Sequence, residues 1–263
     1  MKFEILNVFT TSAQNSGNQL AVVYPDRELT KEQMQAIAFD FNFSETVFVF
    51  DNYDLRIFTP KSELPFAGHP SIGAAWSVHQ TTKFKNFSLK VPLGILSIEA
   101  NPSGSKLTYP GSPVVKNFEG DLDHVLKHCS VDPSQVHRDQ VRLVNSGPEF
   151  IVMPLKSHSA LKKAVPPVTT KDPIKCYFVF QEDPQTYHVR MFAPVLSVPE
   201  DPATGSAACA LAGFLRDAMN EASGKVRVFQ GLEMGRPSEI GISWNKKEIF
   251  LEGLVSKWAT GEI

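Results

Sequence analysis

Three titratable residues sit where this chain could do acid/base chemistry: Glu45, His69 and Asp201. Glu45 lies in Phe41-Asn42-Phe43-Ser44-Glu45-Thr46-Val47-Phe48, an aromatic and apolar neighbourhood at the mouth of an expected strand. Burial among apolar groups raises a carboxyl pKa toward neutrality, which suits a group that must both take and return a proton. His69 precedes Pro70 and Asp201 precedes Pro202, at equivalent places in two matching segments. If each Pro opens a helix, as its missing N–H favours, two helix N-termini can face one cleft. Their free amides and positive dipole ends would then hold a carboxylate. A plainer alternative makes Asp201 an N-cap, His69 a packed loop residue and Glu45 a turn-capping glutamate. Spacing alone leaves both readings open.

Other chemical signals are weaker. His124 and His128 stand four apart beside Cys129, a spacing that can bind metal on a helix. Leu122, Val125, Leu126 and Cys129 more simply mark the buried face of a short helix, and no third ligand completes a catalytic set, so no metal site is assigned. The chain has no G-x-G-x-x-G and no P-loop, so no nucleotide cofactor is expected, and none of any other kind. Ser206 lacks the G-x-S-x-G elbow of a hydrolase; Thr204-Gly205-Ser206-Ala207-Ala208 reads as a helix start.

The elements that must position these residues come in two similar sets. Asn15-Ser16-Gly17 recurs as Asn145-Ser146-Gly147, and Val47-Phe48-Val49-Phe50 as Tyr177-Phe178-Val179-Phe180, both at an offset of 130 residues. Arg56-Ile57-Phe58-Thr59-Pro60 recurs as Arg190-Met191-Phe192-Ala193-Pro194, at an offset of 134. Pro70-Ser71-Ile72-Gly73-Ala74-Ala75 matches Pro202-Ala203-Thr204-Gly205-Ser206-Ala207, at an offset of 132. Four matches in one order, spaced by half the chain, indicate a duplication. The duplication did not preserve Glu45, whose counterpart is Lys175.

In the first copy Thr30-Lys31-Glu32-Gln33 forms a capping box, and Met34, Ile37, Ala38 and Phe41 follow the spacing of one buried helix face. The counterpart around Ser157 to Ala164 is less marked. Short strands are expected at Thr46–Phe50, Leu55–Phe58, Cys176–Phe180 and His188–Phe192. Pro70–Val78 and Pro202–Leu215 are rich in small residues and contain no charged residue, so both are expected as buried helices. The architecture is therefore α+β: two pseudo-symmetric lobes, each a curved, mostly antiparallel sheet or partial barrel wrapped around a central helix. Pro110-Gly111-Ser112-Pro113 marks the hinge, dividing the chain into lobes 1–115 and 116–263.

The chain has 263 residues, 42% of them hydrophobic and 21% charged, with a formal net charge of -2. That balance gives no reason to expect a nucleic-acid surface. No apolar run approaches the roughly 18 residues that span a bilayer, so no membrane association is expected. Cys129, Cys176 and Cys209 have no paired spacing, which fits a reducing, cytoplasmic location.

Asn42-Phe43-Ser44-Glu45-Thr46, Phe58-Thr59-Pro60, Glu63-Leu64-Pro65-Phe66-Ala67-Gly68-His69-Pro70 and Asp201-Pro202-Ala203-Thr204-Gly205-Ser206 resemble the signatures of the PhzF-like family. Gly231 and Met234-Gly235-Arg236-Pro237 resemble its last motif. The resemblance implies a diaminopimelate-epimerase-like fold and a cofactor-independent isomerase. It implies Glu45 as the acid/base, with His69 and Asp201 supporting proton transfer. Gly68, Gly73, Gly205, Ser206 and Asn18 would bind a small carboxylate-bearing substrate, the amides near Gly73 and Gly205 holding the carboxylate. A homodimer is also implied. Two departures are Asn18-Gln19 after Gly17, where the family has Pro third, and Ser71 in place of Thr. Two other readings are a binding protein that kept the cleft without turnover, and a hydrolase on a similar scaffold; the latter lacks an evident nucleophile.

Overall fold

Alternation of buried and exposed residues along Gly94–Asn101 and Ser238–Trp244 makes strands with one face on the core and one toward water. The computed structural model describes residues 1–13, 15–168, 175–196 and 198–263. The first half runs β1 (Lys2–Val8), β2 (Asn18–Tyr24), α1 (Lys31–Phe41), β3 (Glu45–Val49), β4 (Leu55–Phe58), β5 (Glu63–Leu64), α2 (Gly68–Thr82), β6 (Asn86–Val91), β7 (Gly94–Asn101) and β8 (Gly104–Thr108). The second runs β9 (Val114–Asn117), α3 (Leu122–His128), β10 (Arg142–Asn145), β11 (Glu149–Pro154), α4 (His158–Lys163), β12 (Cys176–Asp183), β13 (Thr186–Ala193), β14 (Val198–Asp201), α5 (Gly205–Gly213), β15 (Gly224–Gln230), β16 (Ser238–Trp244) and β17 (Ile249–Glu262). From β1 to β7 the order of elements recurs from β10 to β16, with α1 and α2 answered by α4 and α5.

The pairings recur as well. β2 runs parallel to β3, and β11 to β12; β3–β4, β12–β13, β6–β7 and β15–β16 are antiparallel. Each half wraps its strands around its long helix. Every residue of α2 from Gly68 to His79 is buried, and so is all of α5. Both helices contribute to one continuous core, where Ile72, Ala74 and Val78 join Ala207, Cys209 and Leu211. Smaller helices cover the outer faces. α1 is capped by the Thr30–Gln33 box and seats Met34 and Ala38 against Phe48 and Phe58. α3 and α4 cover Met153, Phe178 and Phe192, so Val125, Leu126 and Cys129 form the inward face expected of them.

Two details differ from the sequence expectations. α2 starts at Gly68 and ends at Thr82, two residues earlier and four later than Pro70–Val78, with Pro70 in its third position, where an amide has no intrahelical partner. α5 starts at Gly205 rather than Pro202 and passes after Gly213 into a π-helical turn at Phe214–Ala218. Thr204, not Asp201, is its N-cap residue. A helix opening at Pro202 would use the Asp201 carbonyl to accept the Gly205 amide. The Gln230 side-chain amide takes that carbonyl instead, at 2.7 Å, and the first helical bond runs from the Ala208 amide to Thr204.

The halves join through an exchange of strands. β8 and the first part of β17 pair antiparallel, with Leu107 opposite Leu251. Beyond that pair, the strand that follows each repeat joins the other repeat. β9 pairs with β10, and β17 continues along β1 from Val255 opposite Val8 to Glu262 opposite Lys2. The division expected at residues 115 and 116 falls inside β9.

Candidate functional site

The helix starts meet near the approximate twofold axis. A Cβ on Gly68 would come within 3.0 Å of Gly205 Cα, and one on Gly205 within 3.0 Å of Gly68 Cα; Leu251 closes over both. Only two glycines let the helix ends approach so closely. Gly73 does not share this place. It lies in the second turn of α2, packed against Leu20 and Val8, and its amide is not among the free amides of the helix start.

Around this junction the three titratable residues converge. Glu45 opens β3, beside Leu20 of β2, and its Oε2 lies 2.8 Å from His69 Nδ1. His69, in the first turn of α2, is 3% exposed. A carboxylate accepting at Nδ1 places a proton on that nitrogen. Among the described residues, the buried Nε2 has no hydrogen-bond partner. Buried polar atoms without partners cost about 1–3 kcal/mol each, and such a cost is expected where a ligand completes the network.

Asp201 ends β14 at 6% exposure. Its Oδ1 accepts from Asn18 Nδ2 at 2.9 Å and from Ser44 Oγ at 3.1 Å; its Oδ2 accepts from Thr204 Oγ1 at 2.5 Å. Asn18 also donates to the Ala203 carbonyl at 3.1 Å and can accept from Ser44 at 3.1 Å. Burial pushes the Asp201 carboxyl up to about 6, and the negative charge of Glu45 adds to the effect; the Thr204 hydrogen bond, His69 and Ser44 work against it. A buried carboxyl near pH 6 can hold or release a proton under ordinary conditions.

Ser206 is buried in the first turn of α5, where its carbonyl accepts from Ser146 Oγ at 2.8 Å. The repeated Asn-Ser-Gly turn of the second half thus anchors that helix. Sequence reasoning missed Ser44, Thr204, Gln230 and Arg236. Arg236 donates to the Gly17 carbonyl at 3.0 Å, and the Gly17 amide donates to Pro237, fixing the turn before Asn18. His124 and His128 lie on α3, outside this site, with ring centroids 4.2 Å apart. Among the described residues no group of three or more His, Cys, Asp or Glu is placed to hold a metal ion. A cavity of about 890 Å³ lies along the outer side of the central strands. Two surface ion pairs, Lys106–Glu99 and Lys225–Glu252, line it. The convergence of buried titratable groups therefore marks the site better than that void.

Two sets of strands wrapped on helices whose N-termini meet, with three titratable residues at the junction, form the epimerase-like fold of isomerases. Within that class the chain belongs to the phenazine biosynthesis-like protein family (PhzC-PhzF), whose profile matches residues 6–252. An uncharacterized isomerase of Pasteurella multocida is 32% identical, over 99% of this chain and 93% of its own. A trans-2,3-dihydro-3-hydroxyanthranilate isomerase of Pseudomonas chlororaphis is 31% identical, over 90% of this chain and 87% of its own. The crystal structure of a PhzF-family phenazine biosynthesis protein from Bacillus anthracis superposes with a TM-score of 0.86 at 20% identity, over 100% of this chain and 98% of that one. Among the described residues no helix is long and apolar enough to cross a membrane.

Proposed function

We propose that this isomerase moves a proton between carbons of a small carboxylate-bearing amino or hydroxy acid, using side-chain groups alone. Glu45 is the shuttle. Its Oε2 is engaged by His69, so Oε1 takes the proton from one carbon and returns it to another. The free amides of Gly68, His69, Gly205 and Ser206, at the positive ends of α2 and α5, receive the substrate carboxylate. Asp201, near Glu45 and His69, is the second group able to hold a proton. The observation that carries this reading is the 2.8 Å Glu45–His69 contact at the point where the helix starts meet. A ring carboxylate also fits relatives named for an anthranilate substrate.

The test is solvent-deuterium exchange into a panel of amino and hydroxy acids, cyclic ones included. Glu45→Gln keeps the side chain's shape but cannot ionise. Removing a positioned acid/base costs on the order of 10²–10⁴ in rate, so exchange should fall by that factor while substrate affinity changes little. Exchange by the variant at the wild-type rate would make Glu45 structural and refute the mechanism.

A further inference from the structure

The segment Asp201-Pro202-Ala203-Thr204 is where the second half departs from the first. In the first half the corresponding His69-Pro70 pair lies inside α2; here the chain stays outside the helix until Gly205. The difference traces to the end of β15. Gln230 is its last residue, 0% exposed, and makes three contacts with this segment. Its Nε2 donates to the Asp201 carbonyl at 2.7 Å and to Thr204 Oγ1 at 2.9 Å, and its Oε1 accepts from the Thr204 amide at 3.3 Å. Its counterpart at the end of β6 is Val91, which has no polar group to make such contacts. Gly231 follows at φ +77, and a Cβ there would lie 2.7 Å from the Pro202 carbonyl oxygen. The glycine lets the strand end lie flush on the segment that Gln230 holds.

The donor count fixes the direction of the chain of bonds. A hydroxyl has one proton and accepts at its lone pairs. Thr204 Oγ1 accepts from Gln230, so its own proton goes to Asp201 Oδ2, the remaining acceptor at 2.5 Å. The geometry points to Gln230 as a positioning residue for the proton transfer: through Thr204 it aims a hydroxyl donor at Asp201 and keeps that carboxylate turned into the junction. The role rests on Asp201 belonging to the reactive set. It is nevertheless read from Asp201 itself, without turnover, so failure of the Glu45 mechanism would leave its outcome unaffected.

The experiment is a pH titration of Asp201 by ¹³C NMR of the full chain carrying carboxyl-labelled aspartate, with the signal assigned by its loss in Asp201→Asn. Losing a hydrogen bond to the ionised form favours the neutral form. Thr204→Val should raise the midpoint by about one pH unit, as expected for one charge-assisted bond. Thr204→Ser should leave it within a few tenths. Gln230→Met should raise it by a similar amount, and combining Gln230→Met with Thr204→Val should add nothing further, because the two act in series. Circular dichroism and a cooperative melt establish which variants fold; Gln230→Ala replaces Gln230→Met if the longer side chain does not pack. Thr204→Val leaves Gln230 in place and reads the same link. An unmoved midpoint in any folded Gln230 variant or in Thr204→Val overturns the assignment, as does full additivity in the double variant.

Discussion

At the scale of single residues, the raised proton affinity of Asp201 has a consequence for stability. Its carboxyl moves from near 3.8 to about 6 on folding, chiefly through burial. The folded state therefore binds this proton more tightly than the unfolded chain. The resulting stabilisation is complete below about pH 4 and is lost as pH rises through about 6. About two units correspond to roughly 3 kcal/mol against folding above that range. Asp201→Asn should thus be more stable than wild type at pH 8, by up to about 3 kcal/mol, and should gain little at pH 4. Urea unfolding at both pH values checks this, and equal differences at the two would count against it. Glu45, His69 and Asp201 could be picked out from the sequence because their residue types stand out beside repeated helix starts. Thr204 and Gln230 could not. Their roles depend on a contact between positions 26 residues apart, and a glutamine at a strand end carries no local signature.

At the scale of elements, the site depends on how closely α2 and α5 approach. Gly68→Ala would press a methyl group onto Gly205 backbone and Leu251. Overpacking of a filled core costs about 1–3 kcal/mol, and here relief must come by moving the helix starts apart. The variant should lose that much stability in urea unfolding and should also lose deuterium exchange. A folded Gly68→Ala with undiminished exchange would show that the helix contact is not needed. The capping box of α1 and the buried faces of α1 and α3 were legible because helix periodicity and cap chemistry are local. The start of α5 was misplaced because Pro202 is a good opening residue on local grounds. The Gln230 amide removes the carbonyl that such a helix needs, and that competition is long-range.

At the scale of the molecule, neither half is closed without the other. β1 borrows the end of β17, and β10 borrows β9. Cutting the chain at the exposed Gly111–Ser112 bond leaves β9 with β10 but parts β1 and β8 from β17, and should therefore not release two stable lobes. Fragments 1–111 and 112–263, expressed separately, should be poorly folded or aggregated, because each exposes an unpaired strand edge. Expressed together they should associate into a one-to-one complex that elutes near the intact chain. Monomeric, cooperatively melting single fragments would contradict this. The duplication itself was plain in the sequence, because its motifs keep nearly constant spacing. The crossing of the last strands was not, since β9 and the end of β17 carry no matching motif.

That crossing also constrains descent. A single half, before it was doubled, would have had one strand to lend and one edge to fill, and a second copy of itself is the partner that satisfies both. Such an assembly is a twofold dimer with swapped ends, and its central cleft would have carried two identical sets of side chains. Any substitution in one gene would have altered both sides of the cleft at once. Fusion into one chain lifted that restriction, and the present residues record it: Glu45 faces a history shared with Lys175, and Gln230 stands where the other copy has Val91. A cleft with different side chains on its two sides became possible only when the halves could change one at a time.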